Sequence, residues 1–326
     1  VQFLKEIRGT DAAQAELDRL IAATGTAPES LTYRALRAAL IFETGSRDDA
    51  LAQFSGILGT TSEDTPQLRD IRVTYARALD TNGDRAAASA EIGQVLAADP
   101  SHVEALKMRA RWKIAEDKPG EAIIDLRTAL NQNARDPGTL TLMAEAHLRE
   151  GATELAGERL SLAVEASGAR AEESLRYAQF LMQQNRPEVA SRVLIDARRA
   201  APGDLRLLTS LIEVLVAMKD WTRAEAAVDE MAQFTGTEAR ATEDRMRTAL
   251  ALAQNRTDEA LQMMQGMVES GTANISIIAA TVQTQVRSGK LDEARAFLDT
   301  ELAKAPESPE LRILSANLDF MRGDLA

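Results

Sequence analysis

The residues of this chain that could do acid–base, metal or nucleophilic chemistry do not assemble into a motif. The two histidines, His102 and His147, have neither a second ligand nor a carboxylate at motif spacing, so neither builds a metal site or a general base. His102 follows Asp99, Pro100 and Ser101 and reads as part of a helix cap. His147 falls on an apolar helix face and reads as a hydrogen-bonded packing residue. The absence of cysteine excludes disulfides, zinc–thiolate sites and cysteine nucleophiles. Adjacent carboxylates such as Asp48–Asp49 and Glu172–Glu173 open helical segments, where the helix dipole favours negative charge. Neither a glycine-rich phosphate loop nor a G-x-S-x-G elbow occurs. No catalytic residue, metal or cofactor is expected. What the chain does offer is arginine, which grips carboxylates with two parallel hydrogen bonds.

The charge balance narrows the partners. Fifty acidic residues against 38 basic ones give a net charge of −12. Nucleic acid is therefore not expected as the main ligand, because phosphate binding needs an extended basic stripe. No apolar run approaches the ~20 residues of a membrane helix, and the longest, around 211–218, is broken by Glu213. Lysine is scarce beside arginine and alanine is abundant, a composition associated with GC-rich bacterial genomes.

The elements that must position these side chains repeat. Ala50, Ala88, Ala122, Ala156, Ala190, Ala224, Ala260 and Ala294 are separated by 38, 34, 34, 34, 34, 36 and 34 residues, the period of stacked helix–turn–helix units. Twelve positions upstream lies a small residue in five consecutive units: Ala38, Ala76, Ala110, Ala144 and Ala178. Five positions upstream lie Gly45, Gly83, Gly151, Asn185, Asn255 and Gly289, residue types that accept the left-handed conformation closing a helix. Pro119 and Pro187 follow two residues later, at a first helical turn. Pro100, Pro202 and Pro306, twelve past the alanine, end second helices. Ala122, Ile123, Leu126, Ala129 and Leu130 trace one face of a 3.6-residue period. Small residues on both helices let the two backbones approach where they cross, with leucines filling the layer between units.

The period predicts an all-α solenoid of stacked antiparallel helix pairs forming a single domain over residues 1–326. Full units fall at about 31–64, 69–102, 103–136, 137–170, 171–204, 205–238, 241–274 and 275–308. A partial unit, 1–30, precedes them, with Ala13, Leu17 and Leu20 in its second helix, and another, 309–326, follows. Residues 59–66 and those near 235–240 are extra, between units. The last segment reads as a first helix over 311–322 with a turn at Gly323, which would leave Leu314, Leu318 and Met321 uncovered. Continuation of the native chain, or self-association through that helix, is the expectation. Met263, Met264 and Met267 share a second helix and read as core.

With this period, the small–Gly/Asn–Ala–Pro series and a large residue four past each alanine (Phe54, Ile92, Leu126, Leu160, Leu194, Val228, Met264, Leu298), the chain resembles the tetratricopeptide repeat family. Leu106, Leu140 and Leu208 stand where the family has an aromatic residue, and Ile212, Thr248 and Val282 replace the small upstream residue. The resemblance implies a right-handed superhelix whose first helices line a concave groove for a peptide or extended protein segment. In that register the groove-facing residues are Arg77, Lys107, Arg111, Glu145, Arg149, Arg176, Gln179, Arg206 and Arg245, an arginine-rich stripe suited to an acidic peptide. The bland alternative is a solvated face with i,i+4 pairs such as Glu145–Arg149. The family's basic–asparagine clamp for chaperone tails fits poorly: Arg111 and Leu142 stand at the asparagine places and Glu172 at a lysine place.

The chain is thus expected to be a non-enzymatic scaffold. The alternative is the substrate-recruiting repeat region of a larger enzyme. A weaker similarity to bacterial envelope-associated repeat proteins, several serving exopolysaccharide or surface-protein export, implies a periplasmic or envelope location, with the cytoplasm as the other candidate.

Overall fold

A computed structural model describes residues 2–60, 63–271 and 273–322. Every regular element among them is helical, and the chain divides into two compact units, Val1–Ser167 and Gly168–Ala326. The first holds α1 (Gln2–Arg8), α2 (Thr10–Thr24), α3 (Glu29–Glu43), α4 (Arg47–Leu58), α5 (Pro66–Thr81), α6 (Arg85–Ala98), α7 (Val103–Ala115), α8 (Pro119–Gln132), α9 (Pro137–Arg149) and α10 (Thr153–Ser167). The second holds α11 (Ala171–Gln183), α12 (Pro187–Ala200), α13 (Leu205–Ala217), α14 (Trp221–Glu230), α15 (Thr237–Ala253), α16 (Thr257–Glu269), α17 (Ile275–Arg287), α18 (Leu291–Lys304) and α19 (Pro309–Arg322).

Within each unit every helix packs on the next, and first helices also touch one another: α3 meets α5, α5 meets α7 and α7 meets α9; α11 meets α13 and α13 meets α15. The repeating alanines explain the crossings. All eight, from Ala50 to Ala294, are fully buried, as are Ala38, Ala76 and Ala110 on the facing helices. Ile212, Thr248 and Val282 take the same inward place in the second unit, at 1%, 5% and 3% exposure. The large residues four positions on complete the layer, with Phe54, Leu126, Leu194, Met264 and Leu298 at 0%.

Helix ends follow from local chemistry. Thr65, Asp84, Asp136, Asp204, Asp220 and Asn274 cap α5, α6, α9, α13, α14 and α17, each side chain accepting a backbone N–H of the first turn. His102 caps α7 through Nδ1, which accepts from the Ala105 N–H at 3.4 Å. The turns inside each pair lie in the left-handed region at Gly45, Gly83, Gly151, Asn185, Asn255 and Gly289. Asp117 (φ 59°) and Lys219 (φ 57°) occupy the same place in the other two pairs, against the usual preference for glycine. A six-to-one backbone bond closes these turns, Lys118 N to Lys113 O at 2.8 Å and Asp220 N to Leu215 O at 3.0 Å, and offsets the left-handed strain.

The last helix differs from its sequence reading. Leu318 is fully buried, packed with Val282, Leu298 and Leu311, because α19 docks on α17 and α18 as a first helix does. Leu314 is half-buried. The large hydrophobic side chains of α19 that stay exposed are Ile313, Phe320 and Met321. The expected turn at Gly323, and Thr61 and Ser62 of the 59–66 insertion, lie outside the described residues. Near 235–240 the extra residues have a clear effect. α14 stops at Glu230, a 3-10 turn spans Met231–Gln233, and α15 extends to 17 residues. Met264 and Met267 are core, with Met263 at its edge.

Candidate functional site

Three successive first helices of the second unit, α11, α13 and α15, together line an open groove of about 800 Å³, with Leu194 of α12 behind them. Each helix presents one face by helical spacing: Leu175, Arg176, Gln179 and Met182 from α11; Arg206, Thr209, Ser210 and Glu213 from α13; Glu238, Thr242 and Arg245 from α15. Leu175, Ala178, Met182, Leu205 and Val214 give it an apolar floor. Of the nine residues read from the register, the structure brings Arg176, Gln179, Arg206 and Arg245 to this groove.

The other five belong to the first unit. Arg77 on α5 pairs with Glu104 at 3.3 Å. Lys107 on α7 pairs with Glu104 at 2.7 Å and with Asp136 at 3.2 Å. Asp136 is half-buried, which raises its pKa, but bonds from Thr139 and the nearby Lys107 ammonium outweigh that and hold it below the ordinary carboxylate value. Arg111, Glu145 and Arg149 are exposed. The expected Glu145–Arg149 pair does not form: i,i+4 spacing permits such a contact, but these side chains leave each other to solvent.

Charge in the second-unit groove is distributed differently from the sequence expectation. Arg206 donates from Nε and Nη2 to Asp204 at 3.0 and 2.6 Å. That hydrogen bonding to Arg206 keeps the Asp204 carboxyl below its usual range. Arg176 donates to Glu172 at 3.1 Å. Arg245 reaches only neutral acceptors, the Ala241 carbonyl at 3.3 Å and the Thr242 hydroxyl at 2.9 Å.

Sequence reasoning missed Leu205, Ser210, Val214, Glu238 and Thr242. Thr242 stands eighteen before Ala260, the place that Arg206 takes before Ala224. Glu238 lies one turn earlier and exists as a helical residue only because α15 begins early. The remaining three are neighbours of register positions on α13.

His147 is buried as read, but its Nδ1 makes no hydrogen bond. Burial lowers its pKa, opposed by Glu150 and reinforced by Arg159 and Arg127. Trp112 is core, its Nε1 donating to Asp80 at 3.0 Å and its ring covered by Arg85. Trp221 instead lines a shallow cavity with Lys219, Glu225 and the 253–256 turn. Among the described residues no three His, Asp or Glu side chains converge as metal ligands, and no helix is long and apolar enough to cross a membrane.

Residues 251–325 match the sequence model of the tetratricopeptide repeat family. By sequence, no characterised protein is similar enough to register as a relative. Among solved structures the chain is similar to one from the APC/C hetero-tetramer Cut9–Hcn1, at 16% identity and a TM-score of 0.49, covering 95% of this chain and 59% of that one. PilF of Pseudomonas aeruginosa gives 16% identity and a TM-score of 0.46, covering 76% and 97%. A tetratricopeptide repeat protein from Parabacteroides merdae gives 15% and 0.40, covering 87% and 95%. The family model thus matches the last quarter of the chain, and the helix pairs before that segment keep the same period and turn.

Proposed function

We propose that this protein is a non-enzymatic scaffold that holds an extended segment of a partner protein across α11, α13 and α15. One observation carries the reading: an open, apolar-floored groove of about 800 Å³ built by three consecutive first helices. Its length along successive helices suits a chain segment better than a compact small molecule, and its rim supplies polar groups that fix register. The residues hold no nucleophile–base pair that would point to catalysis. An envelope complex of a bacterium is the proposed setting, on the sequence similarity given above; fractionation of cells producing the full-length protein checks it, and recovery wholly in the cytosol removes it.

The binding test compares partner capture, scored by mass spectrometry, for the wild type, Met182→Glu with Leu205→Glu, and Arg111→Glu with Arg149→Glu. The groove variant is expected to lose the partners that the wild type retains while keeping its helical circular-dichroism signal. The Arg111/Arg149 variant asks whether the first unit contributes. Undiminished capture by the groove variant would remove the assignment.

A further inference from the structure

We propose that the segment held in this groove is of mixed charge, with aliphatic residues flanked by one acidic and one basic side chain, and is not a purely acidic tail. The inference rests on the scaffold reading and narrows the partner's chemistry. What a ligand meets is the charge left over after internal pairs have formed. Asp204 holds Arg206 through two hydrogen bonds, and Glu172 holds Arg176 through one, so each pair is nearly neutral to an incoming segment.

Arg245 keeps its charge. Both of its acceptors are uncharged, and the remaining guanidinium N–H groups are open to a carboxylate. Glu213 and Glu238 also keep theirs: both are exposed in the groove, and neither side chain has an ion-pair or hydrogen-bond partner among the described residues. The free charges are therefore one cation on α15 and two anions, on α13 and α15. A wholly acidic segment would meet Glu213 and Glu238 as like charges, and a wholly basic one would meet Arg245; either juxtaposition costs affinity. A segment carrying both signs satisfies all three, with aliphatic side chains resting on Leu175, Met182 and Leu205.

The test selects random twelve-residue peptides from a display library on the wild type, Arg245→Glu, Glu213→Lys with Glu238→Lys, and Met182→Glu with Leu205→Glu, each checked for helicity. Wild-type selection should return sequences with an acid and a base around aliphatic residues. Fluorescence anisotropy of the best peptides should show about tenfold weaker binding to each charge variant, the scale of one lost charge-assisted bond. Acid-only sequences from the wild type, or peptides indifferent to both charge variants, would overturn the mixed-charge inference alone, provided the Met182/Leu205 variant abolishes binding. Selection of the same sequences by that floor variant, or enrichment of none by the wild type, would overturn the groove reading itself.

Discussion

The same register positions behave differently in the two units. In the first, Arg77 pairs with Glu104 and Lys107 with Glu104 and Asp136, so these two cations are spent on internal pairs, while Arg111, Glu145 and Arg149 face solvent. In the second, α11, α13 and α15 open an apolar-floored groove in which Arg245, Glu213 and Glu238 remain uncommitted. The helix crossings differ too. Ala76, Ala110 and Ala144 serve the first unit, whereas Ile212, Thr248 and Val282 serve most of the second. A repeat period therefore fixes where a side chain stands, while its neighbours decide whether its charge is available to a partner.

The largest effect expected concerns the crossings. Ile212→Ala removes a fully packed side chain and should cost about 2–5 kcal/mol of local stability. The reverse change at the equivalent place in the first unit, Ala110→Ile, overpacks a crossing with no room and should cost about 1–3 kcal/mol. Hydrogen exchange resolved by helix measures both, since stacked repeats unfold locally. Equal tolerance of alanine and isoleucine at the two sites would erase the contrast between the units.

Acid should separate the units next. Both histidines lie in the first unit, and burial holds the His147 imidazole below its ordinary value. As pH falls below about 6.5 the unfolded chain takes up a proton that the folded chain resists, so stability present above that pH is lost on descent toward the lowered folded value. Protection of α9 and α10 should fall between pH 7 and pH 5 while that of α13 to α16 holds, and His147→Gln should remove the difference. Below about pH 4 the depressed carboxylates add to the loss. Asp125 is one of them: burial raises its pKa, but Arg109 and Lys113 outweigh that, so its contribution, present above the unfolded pKa, disappears as it protonates.

The smallest effect lies in the ion pairs of the first row. Glu104→Gln disconnects Arg77 and one contact of Lys107, yet these groups are partly solvated, and stability should change by no more than about 1 kcal/mol. Thermal melts of that variant check the value, and a loss of several kcal/mol would show that the pairs build the first unit.

Much of the fold was legible because period, small residues and turn glycines or asparagines all agree on one unit. The turns at Asp117 and Lys219 were not legible, since neither residue type signals a left-handed backbone; the closing six-to-one bonds that stabilise them belong to the folded turn. Leu318 was misread because the repeat period does not show that α19 docks on α17 and α18 and buries it there. At the groove, the register implied by the resemblance includes Arg176, Gln179, Arg206 and Arg245, which line it. It could not foresee that Glu172 and Asp204 would claim two of the arginines, because such pairs depend on side-chain rotamers. Nor could it anticipate Glu238, which joined the site through the early start of α15.

The second-unit groove is the proposed place for a partner segment. The most direct measurement is hydrogen exchange of the wild-type protein with and without a saturating peptide selected as above. New protection confined to 171–183, 205–217 and 237–253 is the expected result; protection centred on α5, α7 and α9 instead, or none in the second unit, would contradict it.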